Sequence, residues 1–410
     1  MRTKLRRDAE TIIRRSIQAV LPDEAVRRAL EGRTFPGKVV LIAAGKAAWQ
    51  MAKTAQAIIS AQSGVVITKY GHSGGDLPGL ACYEAGHPVP DENSFRATQA
   101  ALEAVTGLSE NDTVLFLLSG GGSALFEQPL VPGEELQDIT GQLLACGADI
   151  VEMNTIRKRL SAVKGGRFAQ RCAPARVFSI VLSDILGDPL DMIASGPACA
   201  DRSTCAEAEA IVKKYDLRLS DQARALLQRE TPKELHNVET VITGSVRELC
   251  SAAAACCYEL GYEPLILTDR LCCEAREAGS FLGSIARSNA ESGRSLAFLA
   301  GGETVVHLTG KSLGGRNQEL ALAAAPGITG LENVLVFSLG SDGTDGPTDA
   351  AGGIVDGKTT EKLREQGLDI HAVLAENDAY HALKAVNGLI FTGPTGTNVN
   401  DVSVVLIQGN

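Results

Sequence analysis

At 410 residues the chain exceeds one compact core and suits two domains, and its 44% hydrophobic and 21% charged residues exclude wholesale disorder and fibrous repeats. Thirty-nine Lys and Arg against 49 Asp and Glu leave a net charge of -10, which, with one Trp and six Tyr, argues against nucleic-acid binding. The longest apolar runs, such as Val39 to Ala44, stop at about six residues, far short of a membrane span.

In chain order, Arg2, Lys4, Arg6, Arg7, Arg14 and Arg15 crowd the amino terminus, but Asp8 and Glu10 sit among them. Ile12, Ile13, Ile17, Val20 and Leu21 recur at helical spacing, which predicts an amphipathic first helix rather than a presequence. Short apolar runs predict strands at Val39 to Ala43, Val65 to Thr68, Thr113 to Leu118, Val177 to Leu182, Val238 to Ile242, Pro264 to Thr268, Leu296 to Ala300, Val334 to Leu339 and Leu389 to Thr392. Amphipathic stretches lie between most of them, including Asp91 to Val105 and a helix capped by Ser220, so an α/β fold with largely parallel sheets is expected. The polar stretch Arg229 to Asn237 marks a domain boundary, between residues 235 and 236. Ten cysteines without Cys-x-x-Cys or zinc spacing, though with adjacent pairs at Cys256/Cys257 and Cys272/Cys273, read as reduced, mostly buried thiols of a cytoplasmic protein.

Glycine, at 43 residues, clusters just past predicted strands, where the loops of a doubly wound sheet face a ligand crevice. Ser119-Gly120-Gly121-Gly122-Ser123 has three glycines where a plain turn needs one, which suits a nest of inward N–H groups for an anion. Lys46 stands just past Val39 to Ala44, either to neutralise such an anion or as a solvated lysine. Asn154 to Arg167 carries Arg157, Lys158, Arg159, Lys164 and Arg167 with no acid, a local positive patch in an acidic protein or a solvated helix face. Asp184, Asp188 and Glu303 follow strands, and Asp342 with Asp345 is a metal-capable pair; such carboxylates can hold Mg2+ or accept a hydroxyl proton, or simply cap turns. Arg316, in Gly314-Gly315-Arg316-Asn317-Gln318-Glu319, is pinned at a helix start, where a guanidinium can grip a carboxylate or phosphoryl group.

Gly310-Lys311-Ser312 ends like a phosphate-binding P-loop, but position 305 is Val where the first glycine is required. The dinucleotide glycine fingerprint, Gly-x-Ser-x-Gly, His-Glu-x-x-His and His-Arg-Asp are absent, which weakens dehydrogenase, serine hydrolase, zincin and protein kinase readings. His72 and His87 flank a Gly-rich stretch and read as structural.

Ala44-Gly45-Lys46-Ala47, Leu118 to Ala124, Leu182 to Asp188, Ser195-Gly196-Pro197, Gly301-Gly302-Glu303-Thr304, Gly314 to Glu319 and Ser341 to Gly346 resemble, in this order, the motifs of the class II glycerate kinases, and the likeness continues to Thr395 to Asp401. The resemblance implies an amino-terminal Rossmann-like α/β/α sandwich over residues 1–235 and a carboxyl-terminal α/β domain of the MOFRL type over 236–410, with the active site in the interdomain cleft. It implies phosphorylation of D-glycerate by ATP with Mg2+, at the 2-hydroxyl, with Lys46, Asp184, Glu303 and Arg316 as catalytic residues. Of the two cations, one is expected on the substrate carboxylate and the other on the phosphoryl group, while Asp184 or Glu303 orients the hydroxyl or metal. Ligand binding is expected from Ser119, Gly120, Gly121, Gly122, Ser123, Asn154, Lys164, Asn317, Gln318, Thr395 and Asn398, and metal binding from Asp342 and Asp345. The partners are then D-glycerate and MgATP, with no nucleic acid and no membrane, for a cytoplasmic monomer or homodimer. A hydroxypyruvate reductase and a non-catalytic anion-binding module are the alternatives.

Overall fold

The structure, a computed structural model, describes residues 3–409, which leaves Arg2 outside. Among the described residues two compact units form, one spanning Ala25–Thr243 and the other running from Gly244 onward together with the segment up to Glu24.

The first unit is built on β1 (Val39–Ala44), β2 (Ser63–Lys69), β3 (Leu80–Ala85), β4 (Thr113–Leu118), β5 (Arg176–Leu182) and β6 (Val238–Gly244), in the order β3-β2-β1-β4-β5-β6. The pairs β1/β2, β1/β4, β2/β3 and β4/β5 are parallel. All six residues of β1 and of β4 are buried, because helices cover both faces of a parallel sheet and leave no solvent side to alternate toward. The chain winds one way from β1 and the other way from β4, which makes their shared carboxyl edge the switch point where such sheets bind ligands. Ala44 pairs with Leu118 in register, so Lys46 and Ser119 leave the sheet side by side. Phe116, Phe126 and Phe168 pack with centroids 4.8 to 5.5 Å apart beneath that edge.

The second unit contains β7 (Glu263–Leu271), β8 (Leu296–Gly302), β9 (Val334–Gly340), β10 (Gly352–Asp356), β11 (Leu389–Ile390) and β12 (Asp401–Ile407), ordered β11-β10-β9-β12-β8-β7. β7, β8, β9 and β11 run one way; β10 and β12 run the other. The expectation of parallel pairing thus holds for β7/β8, whereas β12, wholly buried, inserts antiparallel between β8 and β9.

The division differs from residues 235/236 in two respects. β6 still completes the first sheet, and the first helix, Lys4–Ala19, belongs to the second unit. That helix buries Leu5, Ala9, Ile12, Ile13 and Ile17, Asp8 accepts a bond from the Tyr262 hydroxyl at 2.7 Å, and Thr397 donates to the Val20 carbonyl at 2.8 Å. All ten cysteines are free thiols; Cys172, Cys250, Cys256 and Cys257 are buried, but Cys146, Cys272 and Cys273 are exposed, contrary to the mostly buried expectation. No described helix is long and apolar enough to cross a membrane.

Candidate active site

In the first unit, β1 ends at Gly45, whose φ of +129° is available to glycine, and a Cβ there would collide with Ser119. The Lys46 N–H donates to the Gly120 carbonyl at 2.8 Å and the Ala47 N–H to the Ser119 hydroxyl at 3.1 Å, so the two loops are locked together. The Lys46 ammonium makes no hydrogen bond or ion pair among the described residues. Beyond β4, the Ser119 and Gly122 N–H groups are spent on Ala44 and Ser119 carbonyls, whereas those of Gly120, Gly121 and Ser123 have no acceptor among the described residues. A Cβ on Gly120 would run into the Asp184 carboxylate, which places Asp184 at this loop. Three open donors on a loop that also meets the Lys46 side chain and the Asp184 carboxylate can hold an anionic oxygen and orient a hydroxyl next to it.

The basic stretch behind the loop is neither a ligand patch nor a solvated face. Lys158 is ion-paired with Asp201 at 3.1 Å, Arg159 with Glu230 at 3.1 Å, and Arg167 donates to the carbonyls of Arg159 and Ser161. Lys164, fully buried, donates to the carbonyls of Ser123 at 2.8 Å and Phe126 at 3.2 Å and pairs with buried Glu127 at 3.3 Å. Burial lowers its pKa to about 8. Arg157 donates to the same Ser123 carbonyl. Lys164, expected on the ligand, instead braces the loop from inside. Asn154 is also internal: it accepts from the Ser195 hydroxyl at 2.8 Å, and Ser195 lies 3.5 Å from the Ser123 hydroxyl. Ala194, Ser195 and Gly196 take successive φ values of +51°, +62° and +67°, a strained segment whose Ala194 would sit 2.8 Å from a Cβ on Gly122.

In the second unit, Arg316 opens the helix Arg316–Ile328 and Glu303 follows β8. The guanidinium donates to both oxygens of Asp401, at 2.6 and 3.0 Å, and pairs with Glu303 at 3.2 Å; Asn400 donates to the other Glu303 oxygen at 3.2 Å. Burial opposes the Arg316 charge, but Asp401 and then Glu303 hold its pKa above the usual guanidinium value. Burial pushes the Asp401 carboxyl up, while Arg316 pulls it down.

Asp345, expected as a metal ligand, lies at the start of the helix Arg316–Ile328. Its oxygens accept the backbone N–H groups of Asn317 at 3.1 Å and Gln318 at 2.9 Å, capping the helix from a distant loop, and burial raises its carboxyl to about 6. Asp342 accepts from the Thr344 N–H at 3.0 Å, as a turn residue does, and among the described residues no group of three or more His, Cys, Asp or Glu could hold a metal ion. Asn317 and Gln318, expected on the ligand, are buried: Asn317 accepts from Ser338 at 2.6 Å, and Gln318 donates to Thr348 at 2.9 Å. Thr395 donates to the Ser341 carbonyl at 2.6 Å, and Asn398 is exposed. A cavity of about 1300 Å3 beside the first helix includes Thr395 but neither Glu303 nor Arg316.

Four residues at these sites carry no catalytic or ligand-binding role in the sequence reading: His87, which reads as structural, and Ser195, Asn400 and Asp401. A strand ending just before His87 and another beginning at Asp401 were the missing signals.

Comparison with known proteins fits this geometry. Residues 8–228 match the family described as Domain of unknown function (DUF4147) and residues 296–401 the MOFRL family. The chain is 52% identical to the D-glycerate 2-kinase of Thermotoga maritima over 98% of both chains, and 43% identical to the glycerate 2-kinase of Pyrococcus horikoshii over 97% of this chain and 96% of that one. The crystal structure of the Thermotoga maritima glycerate kinase superposes with a TM-score of 0.95, over 98% of this chain and 99% of that one. A relative from Agrobacterium vitis, 40% identical over 90% of this chain and 87% of its own, carries a provisional hydroxypyruvate reductase name. Fold and relatives define a two-domain α/β phosphotransferase that acts on an alcohol group. Within that class, the chain belongs to the glycerate kinase family with a carboxyl-terminal MOFRL domain.

Proposed function

We propose that the protein transfers the γ-phosphoryl group of MgATP to the 2-hydroxyl of D-glycerate. The observation that carries the reading is that Lys46, whose ammonium is uncommitted among the described residues, is bonded through its backbone to the loop that carries the open N–H groups of Gly120, Gly121 and Ser123, in a chain 52% identical to a D-glycerate 2-kinase. Both substrates are anions, so transfer needs donors that offset their repulsion, and this loop supplies them. In this reading Asp184 orients the acceptor hydroxyl, which its closeness to Gly120 supports. The charge of Arg316 is already balanced by Asp401 and Glu303, so in this reading it supports the phosphoryl group, and the substrate carboxylate falls to Lys46. A cytoplasmic location, with its ready supply of ATP, is in keeping with this reading. Incubation with ATP, Mg2+ and D-glycerate, with products resolved by 31P NMR, should give 2-phosphoglycerate; 3-phosphoglycerate would overturn the regiochemistry, and NADH oxidation by hydroxypyruvate at 340 nm would favour a reductase.

A further inference from the structure

We infer that His87 is a substrate-contacting residue, its imidazole bonding an anionic oxygen of the ligand held by Lys46 and the glycine loop. The inference rests on the kinase reading for the identity of that ligand.

Four observations lead there. His87 leaves the sheet two residues past β3, at the same carboxyl edge that β1 and β4 present to Lys46 and Ser119, because Lys69 pairs with Ala85 as Ala44 does with Leu118. Its ring closes on the loop: a Cβ on Gly121 would stand 3.0 Å from the imidazole Cδ2, 3.1 Å from Nε2 and 3.3 Å from the Lys46 side chain. Gly121 has a φ of +87°, so a side chain there would be both strained and in the way of these two residues. The imidazole is half-buried yet makes no hydrogen bond among the described residues, and half-buried polar groups without protein partners serve ligands or water.

The loop that carries it is held in place. Asp91 accepts from the Tyr70 hydroxyl at 2.7 Å and the Ser94 N–H at 2.9 Å, and Glu84 takes the N–H groups of Gly71 and Ser73 at 3.0 Å each. Burial, then the positive charge of Lys46 and Lys69 and the proximity of His72, keep His87 below the usual histidine pKa, so at pH 7 it is a neutral donor rather than a second cation. A neutral imidazole adds direction to the charge that Lys46 supplies.

The test compares wild type with His87→Ala and His87→Gln, varying D-glycerate at saturating MgATP and then MgATP at saturating D-glycerate. A hydrogen bond to a charged oxygen predicts that His87→Ala raises one of the two KM values roughly 10- to 100-fold, with the melting temperature unchanged and partial recovery in His87→Gln. A rise confined to D-glycerate assigns the contact to its carboxylate; one confined to MgATP assigns it to phosphate. Unchanged KM values, or a loss that follows a lowered melting temperature without recovery in His87→Gln, would overturn the inference. A direct readout separates it from the kinase reading: the His87 ring resonances should move on titration with inorganic phosphate or D-glycerate even if the wild type shows no turnover, and resonances unmoved by both would also overturn it.

Discussion

Lys46 and Arg316 each stand just past a glycine at the entry to a helix, yet the protein treats them in opposite ways. The Lys46 ammonium has no partner among the described residues, whereas Arg316 is held by two bonds to Asp401 and an ion pair to Glu303. A free cation can be removed with loss of ligand alone. A committed one leaves a carboxylate behind: Asp401 is only 7% exposed, and stripping its partner strands a buried charge. The same contrast separates the front of the glycine loop, with open N–H groups, from its back, where Lys164 and Arg157 saturate the Ser123 carbonyl.

The largest effect is expected at Arg316. Arg316→Ala should lower kcat/KM by about 1000-fold and also destabilise the fold by about 2–4 kcal/mol in urea unfolding, less than a fully buried pair because the side chain is 34% exposed. Adding Asp401→Asn should restore part of the stability and none of the activity; an Arg316→Ala variant as stable as wild type would erase the contrast. Next, Lys164→Met should cost about 3–5 kcal/mol by leaving Glu127 buried without its partner, and Glu127→Gln in the same chain should recover much of it. Equal instability in single and double variants would show that the bonds to Ser123 and Phe126, not the charge pair, carry the brace.

The smallest effect is a pH slope. The Asp345 carboxyl titrates near 6 in the folded chain and near 4 when unfolded, so the folded state binds the extra proton between those values. Stability should therefore fall, by on the order of 2 kcal/mol, as pH rises from about 4 to about 6. Asp345→Asn should flatten that part of the profile while losing an acceptor at the start of the helix; an unchanged slope would assign it to other carboxylates.

Much of this was legible in the residues. Runs such as Val39 to Ala43 and Thr113 to Leu118 are apolar but for Thr113 and found their strands, and the loops after them carry Lys46 and Ser119 to Ser123. β3, Leu-Ala-Cys-Tyr-Glu-Ala, is a half-exposed edge strand with no such run, so His87 lost the strand end that would have marked it. β12 likewise went unseen, and with it Asp401 as the partner of Arg316. The basic stretch misled because its acids, Asp201 and Glu230, lie some 40 to 70 residues further on, and no local pattern reveals that Lys158 and Arg159 turn inward. The Asp345 cap on Asn317 and Gln318, 27 to 28 residues away, is hidden for the same reason.

The most direct measurement sets wild type beside Lys46→Ala, following ADP formation that depends on D-glycerate, together with thermal melting. Wild type should turn over, and Lys46→Ala should lose about 100- to 1000-fold in kcat/KM with its melting temperature within about 2 °C of wild type. D-glycerate-dependent turnover that survives the substitution, or a wild type that forms no ADP with D-glycerate, would contradict it.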